Sequence, residues 1–237
     1  MISILLAVYN GEKYIKKSID SIINQTFKDW KLLIGFNGTT DSSKEIVESY
    51  NDKRIFVYDY LDEKGKAKTL NKLLEKVNTP WCAIQDDDDI WHGRKLEKQT
   101  SITKDFDVIG TRILYIDEKD KVIGAPDLAI DNFEIKSKSM NGENQVANSS
   151  AIFKTEWARK VNGWNEDVDG IEDFDFWLKI MRREESKFCN IPEFLCLHRL
   201  HEKSNFNTKK QDISKILYLK TLSVIPLWLD VMSFALK

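Results

Sequence analysis

Cysteine is scarce in this chain: three in 237 residues, an odd number. Cys82, Cys189 and Cys196 all fall inside apolar runs, the setting of reduced core thiols in a cytosolic protein, so the disulfide framework of a small secreted domain is excluded. The Asn-x-Ser/Thr triplets at Asn24, Asn37 and Asn148 then carry no glycosylation meaning. Excess charge of either sign is also missing. With 36 basic and 38 acidic side chains the net charge is -2, and lysines are mixed with acids along most of the length. No basic face of the kind nucleic-acid binding needs is visible, and nucleic acid is not an expected partner. No apolar run is long enough to span a bilayer. The apolar opening at residues 1–8 has no basic flank and meets Tyr9-Asn10-Gly11 too early for a signal peptide, so it reads as a first buried strand. Internal repeats and low-complexity linkers are absent.

The chain does have enough apolar residues, 42%, to bury a large core in one domain. Through the first hundred residues, strand and helix patterns alternate. Strands are expected at 2–8, 30–36, 54–59 and 81–85, with helical spacing at 14–23, around Ile46, Val47 and Tyr50, and through Leu70, Leu73, Leu74 and Val77. Such alternation predicts an α/β fold with a mainly parallel sheet flanked by helices and loops gathered at one rim. Four loops would share that rim: residues 9–12, 37–42, 64–68 and 86–89. After about residue 105 the pattern changes. Residues 107–117 and 122–124 read as an antiparallel hairpin, and 125–146 as an irregular segment. Then come a strand at 148–153, helices at 155–161 and 172–185, and two short strands at 187–191 and 194–200. This second half reads as a small antiparallel elaboration on the same sheet, giving one domain at 1–210 with a first half, 1–105, and a second, 106–210.

The tetrad Asp86-Asp87-Asp88-Asp89 follows the apolar run Trp81-Cys82-Ala83-Ile84. Four carboxylates at one point repel one another unless a cation sits among them. At the C-terminal end of a buried strand they lie where open α/β sheets bind ligands, which suits a metal or phosphate-metal site. A solvated acidic turn that caps the next helix is an equal reading, with Asp89 capping a helix that begins near His92. An EF-hand is excluded, because Ile90 and Trp91 would stand where a ligand and a glycine are needed.

The strings Ser3-Ile4-Leu5-Leu6-Ala7-Val8-Tyr9-Asn10-Gly11-Glu12, Asn37-Gly38-Thr39-Thr40-Asp41-Ser42, Asp86-Asp87-Asp88-Asp89-Ile90-Trp91, Glu172-Asp173-Phe174-Asp175-Phe176-Trp177-Leu178 and Arg199-Leu200-His201 together resemble family 2 glycosyltransferases. Each string is weak alone; five in the family's order and spacing, over roughly residues 1–205, are not. The resemblance implies a GT-A, Rossmann-like fold, with the first half binding a nucleotide sugar and the second an acceptor.

It also implies roles. In Asp86-x-Asp88 the first acid would lie near the ribose or metal-bound water and Asp88 would ligate Mn²⁺ or Mg²⁺, hard cations that favour oxygen. Asp87 is placed beside the donor, and His201 at the metal or diphosphate. Asp173 is implied as the base that takes the acceptor hydroxyl's proton, with Glu172 contacting the acceptor; without the resemblance, the pair reads as acids complementing a helix N-terminus. A base opposite the leaving group implies inversion at the anomeric carbon. Ala7 and Tyr9 would flank the nucleotide base, unless Tyr9 simply packs at a strand end. Lys66 and Asn71 are donor candidates, against a merely solvated basic loop for the former. The chain departs from the family at Phe36-Asn37, where two acids are usual. Asn37 can still accept from a uracil N–H but carries no charge, so a UDP-sugar is favoured and a non-catalytic nucleotide-sugar or carbohydrate-binding relative is the alternative. A zinc site of Cys189, Cys196, His198 and His201 matches no strong template. The expected partners are a nucleoside-diphosphate sugar and a glycan or lipid-linked acceptor of surface polysaccharide assembly. The polar stretch 202–210 reads as a loop that orders over bound donor. The C-terminal amphipathic segment, 211–237, can pack on the core, form a homodimer surface or lie on a membrane, so the expected location is the cytoplasm, extending to a peripheral site at the inner face of the membrane.

Overall fold

The computed structural model describes residues 1–60, 64–168 and 170–201. The polar stretch at 202–210 and the C-terminal segment at 211–237 lie outside the described residues. Within them, β1 (Ile2–Val8), β2 (Trp30–Phe36), β3 (Ile55–Asp59) and β4 (Trp81–Ile84) pair in parallel in the order β3-β2-β1-β4. Val8 stands opposite Phe36, and Phe36 opposite Asp59, so these strands end at one rim. The sheet continues through β8 (Ile152–Lys154), β6 (Val108–Ile116), β9 (Phe188–Arg199) and β5 (Ile90–Trp91), with β7 (Val122–Gly124) on the distal half of β6. Antiparallel pairing is confined to β4–β8, β6–β8, β6–β7 and β5–β9. Both halves of the chain therefore build one mixed sheet.

Apolar alternation along β1 explains the layers. Leu5 faces a core with Leu70, Leu73 and Leu74 of α3 (Lys66–Glu75), Trp157 of α6 (Thr155–Lys160) and the apolar face of α7 (Glu172–Met181). Ile2, Ile4, Leu6 and Val8 face the opposite core, closed by Ile15, Ile19 and Ile22 of α1 (Ile15–Ile23), Val47 of α2 (Ser43–Glu48) and Leu96 of α4 (Lys95–Thr100). Burial on both faces is why β1 reads as a continuous apolar run. Cys82, Cys189 and Cys196 are buried free thiols.

Four elements differ from the sequence reading. Residues 125–146 are not irregular throughout: α5 (Asn132–Met140) forms there, started by Asp131, whose carboxylate accepts from Glu134 N at 3.0 Å. Its apolar periodicity is weak because, among its residues, only Ile135 and Ser139 are buried. Residues 148–150 form a 3₁₀ turn, and the strand starts only at Ile152. The two strands expected after residue 187 are one, β9, with a bulge: Thr111 faces Ile191 and Arg112 faces Phe194. The bulge accommodates Pro192, which has no N–H to give a ladder. Finally, α7 ends at Met181 instead of running to residue 185.

Candidate active site

The first two rim loops lock together. Asn10, in the left-handed region at φ 53°, accepts from Thr40 N at 2.8 Å, and Gly11 N donates to Ser43 Oγ at 2.8 Å. Glu12 N donates to Asp41 Oδ2 at 2.9 Å, and Ser42 N donates to Glu12 Oε2 at 3.0 Å. Backbone amides that would otherwise need water are satisfied across the loops, which fixes the two loops against each other at the ends of β1 and β2. Beside them Ala7 is part-buried, Tyr9 is 60% exposed, and Asn37 is buried with its Oδ1 lacking a hydrogen-bond partner. A buried acceptor left unpaired costs on the order of 1–3 kcal/mol unless a ligand donor meets it.

The tetrad separates into four environments. Asp86 pairs with Lys66 Nζ at 2.6 Å and accepts from Asn148 Nδ2 at 3.2 and 3.3 Å. Burial alone would raise its pKa; Lys66 and Asn148 more than offset this and hold it below the ordinary carboxylate range. Asp87 packs on Gly11, where a Cβ would lie 2.1 Å from its Oδ2, so the close approach of the two loops requires glycine. Burial, with Asp88 and Asp86 alongside, pushes the Asp87 carboxyl well above its usual value. Asp88 lies 3.0 Å from His201 Nε2; burial raises its pKa and His201 works against that. Asp89 is fully buried and accepts from Arg199 N at 2.9 Å, with His198 Nδ1 at 3.0 Å. It caps no helix. The chain runs from it into β5, and α4 begins only at Lys95 with Arg94 in the cap position. Burial would lower the pKa of His198, but Asp89 outweighs it and lifts it to about 9.

Arg199, itself fully buried, braces this turn. Its Nε donates to Asp88 O at 2.9 Å, its Nη1 to Asp117 O at 2.7 Å, and it pairs with Asp120 on the β6–β7 turn at 2.6 Å. Tyr14 packs beside both Arg199 (4.3 Å to the ring centroid) and His201 (5.5 Å between centroids).

Opposite stands the start of α7. Glu172 is buried, and its Oε2 accepts from Gly170 N at 2.5 Å; Asp173 Oδ1 accepts from Phe174 N at 2.8 Å. Burial, then Glu172, raise the pKa of Asp173 to about 6, with Lys66 opposing them. Lys66 feels acids from both sides. Burial would lower its pKa, but Asp86, Glu172 and Asp173 keep it above the ordinary lysine value and hence charged. Asn71, one and a half turns further along α3, directs its amide to Trp164 and Glu166.

Among the described residues no three ligand-type side chains converge into a complete metal cage. Asp88 and His201 nonetheless offer one hard oxygen and one imidazole within 3.0 Å of each other, in a turn where burial and neighbouring acids raise the pKa of both Asp87 and Asp88. That fits a divalent ion held through one or two protein ligands plus substrate phosphates. Asn148 carries no signal in the sequence, since a strand over 148–153 gives its side chain no reason to reach Asp86, whereas the 3₁₀ turn at 148–150 does bring it there. Arg199 opens the string Arg199-Leu200-His201 and His198 directly precedes it, but nothing in the pattern tells which tetrad acid each would meet.

A sheet rim that gathers interlocked loops, an acidic turn and a facing acid pair has the layout of a GT-A nucleotide-sugar transferase. The sequence model "Glycosyl transferase family 2" matches residues 3–161, and the chain belongs to that family. It is 31% identical over 210 residues to the O-antigen biosynthesis glycosyltransferase WbnJ of Escherichia coli, covering 86% of this chain and 81% of that one. Its fold is similar to S. aureus TarS in complex with UDP-GlcNAc (TM-score 0.77, 17% identity, 94% of this chain and 65% of that one). It is also similar to the mannosyltransferase PcManGT of Pyrobaculum calidifontis in complex with GDP-Man and Mn²⁺ (TM-score 0.65, 16% identity, 96% of this chain and 71% of that one). The chain thus spans just under two thirds of the TarS chain. Among the described residues no helix is long and apolar enough to cross a membrane.

Proposed function

We propose that this glycosyltransferase moves a sugar from a UDP-sugar to a hydroxyl of a glycan or lipid-linked glycan, with inversion, using Asp173 as general base and a divalent metal at Asp88. The observation that carries the reading is the position of Lys66, which pairs with Asp86 on the donor side and is charged against Glu172 and Asp173 on the other. Donor-side and acceptor-side groups thereby meet at one lysine.

In this reading Asn37 Oδ1 accepts from the uracil N–H, Tyr9 lies on the base, and Asp86, held by Asn148, meets the ribose. Asp88 and His201 would hold Mn²⁺ or Mg²⁺, which when bound neutralises charge developing on the diphosphate. Lys66 adds a second positive charge for the same oxygens. Asp173 takes the acceptor proton as the hydroxyl oxygen bonds to the anomeric carbon and the bond to the diphosphate breaks, while Glu172 holds the acceptor. A pKa of about 6 leaves Asp173 ionised at neutral pH yet more basic than an ordinary aspartate. The O-antigen name of one relative and the UDP-GlcNAc of one structural neighbour support a surface-glycan acceptor and a uridine donor. On this reading the chain works in the cytoplasm, against the membrane where a lipid-linked acceptor is displayed.

The test is a calorimetric panel of UDP and GDP with Mn²⁺ or with chelator, followed by turnover of the matching sugar nucleotides and NMR of the product. UDP binding that needs metal and an inverted anomeric centre are expected. A product that keeps the donor's configuration overturns the single-displacement mechanism, and metal-dependent binding without turnover on any donor points to a binding relative.

A further inference from the structure

The amide of Asn71 is taken up by the segment that precedes α7. Its Oδ1 accepts from Trp164 N at 2.9 Å, and its Nδ2 donates to Trp164 O and to Glu166 Oε1, each at 2.9 Å. One side chain thus satisfies both backbone groups of one residue, as a strand neighbour would. The turn before Trp164 is shaped to receive it. Asn162 and Gly163 both have positive φ, 57° and 67°, and a Cβ at Gly163 would lie 2.2 Å from Asn71 Oδ1. A side chain there would be strained twice, by the backbone and by the contact.

Trp164 carries the connection onward. Its buried ring stacks on Phe176 with centroids 4.4 Å apart and planes 18° from parallel, and both rings pack edge-on to Phe153. Phe176 lies on α7 three residues after Asp173, within one helical turn. At the other end of the relay, α3 begins at Lys66, which pairs with Asp86. A single rigid helix therefore touches the donor-side acid with its first residue and the packing under the acceptor-side acids with its sixth.

We infer that Asn71 is a positioning residue which registers α7, and with it Asp173, against the donor side through the Gly163–Trp164 turn. The inference rests on Asp173 as the base. A base must sit within hydrogen-bond reach of the acceptor hydroxyl, and a displacement of about 1 Å can cost on the order of a hundredfold in rate. Loss of Asn71 loosens α7 and leaves the donor site as it was.

The test uses the full chain as wild type, Asn71→Ala and Asn71→Asp, with Asp173→Asn in parallel. UDP with Mn²⁺ is titrated by calorimetry, donor turnover is expressed per UDP-binding site, and hydrogen exchange is followed at the amides of α7. The Asn71 variants should bind UDP within about twofold of wild type, turn over about 10- to 100-fold more slowly at unchanged donor KM, and exchange about tenfold faster across α7. Expressing rates per binding site removes any contribution from unfolded protein. Weakened UDP binding with unchanged α7 exchange overturns the inference in favour of direct donor contact, and so does no change in any readout. If Asn71→Ala fails to melt cooperatively, Asn71→Asp carries the test: it keeps the size and the acceptor for Trp164 N but cannot donate to Trp164 O. Should Asp173→Asn turn over donor like wild type, the general-base reading fails, while exchange across α7 still decides whether Asn71 holds the helix.

Discussion

The raised pKa of Asp173 makes a quantitative claim about pH. Burial and the adjacent Glu172 lift it from the ordinary 3.8 to about 6. If this carboxylate takes the acceptor proton, kcat/KM should fall about tenfold per pH unit below 6, and only about a tenth of the enzyme should be competent at pH 5. Lys66 opposes the rise, so Lys66→Met should move the acid limb above pH 6. The same shift bears on stability. A rise of about two pH units disfavours the ionised native state by about 3 kcal/mol. The native carboxyl holds its proton to higher pH than the unfolded one, so stability is fullest below pH about 4 and declines as pH rises to about 6. Asp173→Asn should therefore be more stable than wild type at pH 8, by about 1–3 kcal/mol after allowance for partial exposure, and equal to it at pH 4. Turnover profiles from pH 4.5 to 9 and urea melts at both pH values give the check. An acid limb at pH 4, or one unmoved by Lys66→Met, refutes the reasoning.

Further outcomes are expected at the tetrad, at Asn148 and at Asn37. Asp89→Ala should cost about 3–5 kcal/mol in denaturant unfolding, because it leaves Arg199 N and a charged His198 without their buried partner; Asp88→Ala, which relieves crowding among acids, should cost less than about 1 kcal/mol and instead raise the Mn²⁺ concentration needed for turnover. Asn148→Ala removes the amide that orients both oxygens of Asp86 and should raise donor KM about 5- to 20-fold with little change in melting temperature. Asn37→Leu should lower affinity for UDP about tenfold while leaving affinity for inorganic pyrophosphate with Mn²⁺ unchanged, both read by calorimetry.

Much of the fold could be read from periodicity because burial on two faces writes itself into β1, β2 and β4 as apolar runs, and the amphipathic stripes of α1 and α3 answer them. The helix at Asn132–Met140 could not, since it buries little and is held instead by Asp131 and by tertiary contacts such as Phe188 N to Asn132 Oδ1. The β9 bulge was hidden for a related reason: Pro192 reads as a strand break, and only pairing to β6 makes the two runs one. The tetrad shows the limit at the site. Its address at a strand end was legible, but four identical residues carry no mark of which faces Lys66, Gly11, His201 or Arg199. Asp89 reads as a cap for a helix beginning near His92, whereas its carboxylate accepts from Arg199 N and meets His198 on β9. Asn71 carried no local signal of the turn it grips, more than 90 residues away.

The most direct test of the account is donor turnover by Asp173→Asn beside its binding of UDP and Mn²⁺. Asparagine keeps the size of the side chain and removes the base. The account predicts UDP affinity within about twofold of wild type and turnover lower by about 10²- to 10⁴-fold. Turnover within about threefold of wild type, with binding intact, would contradict it.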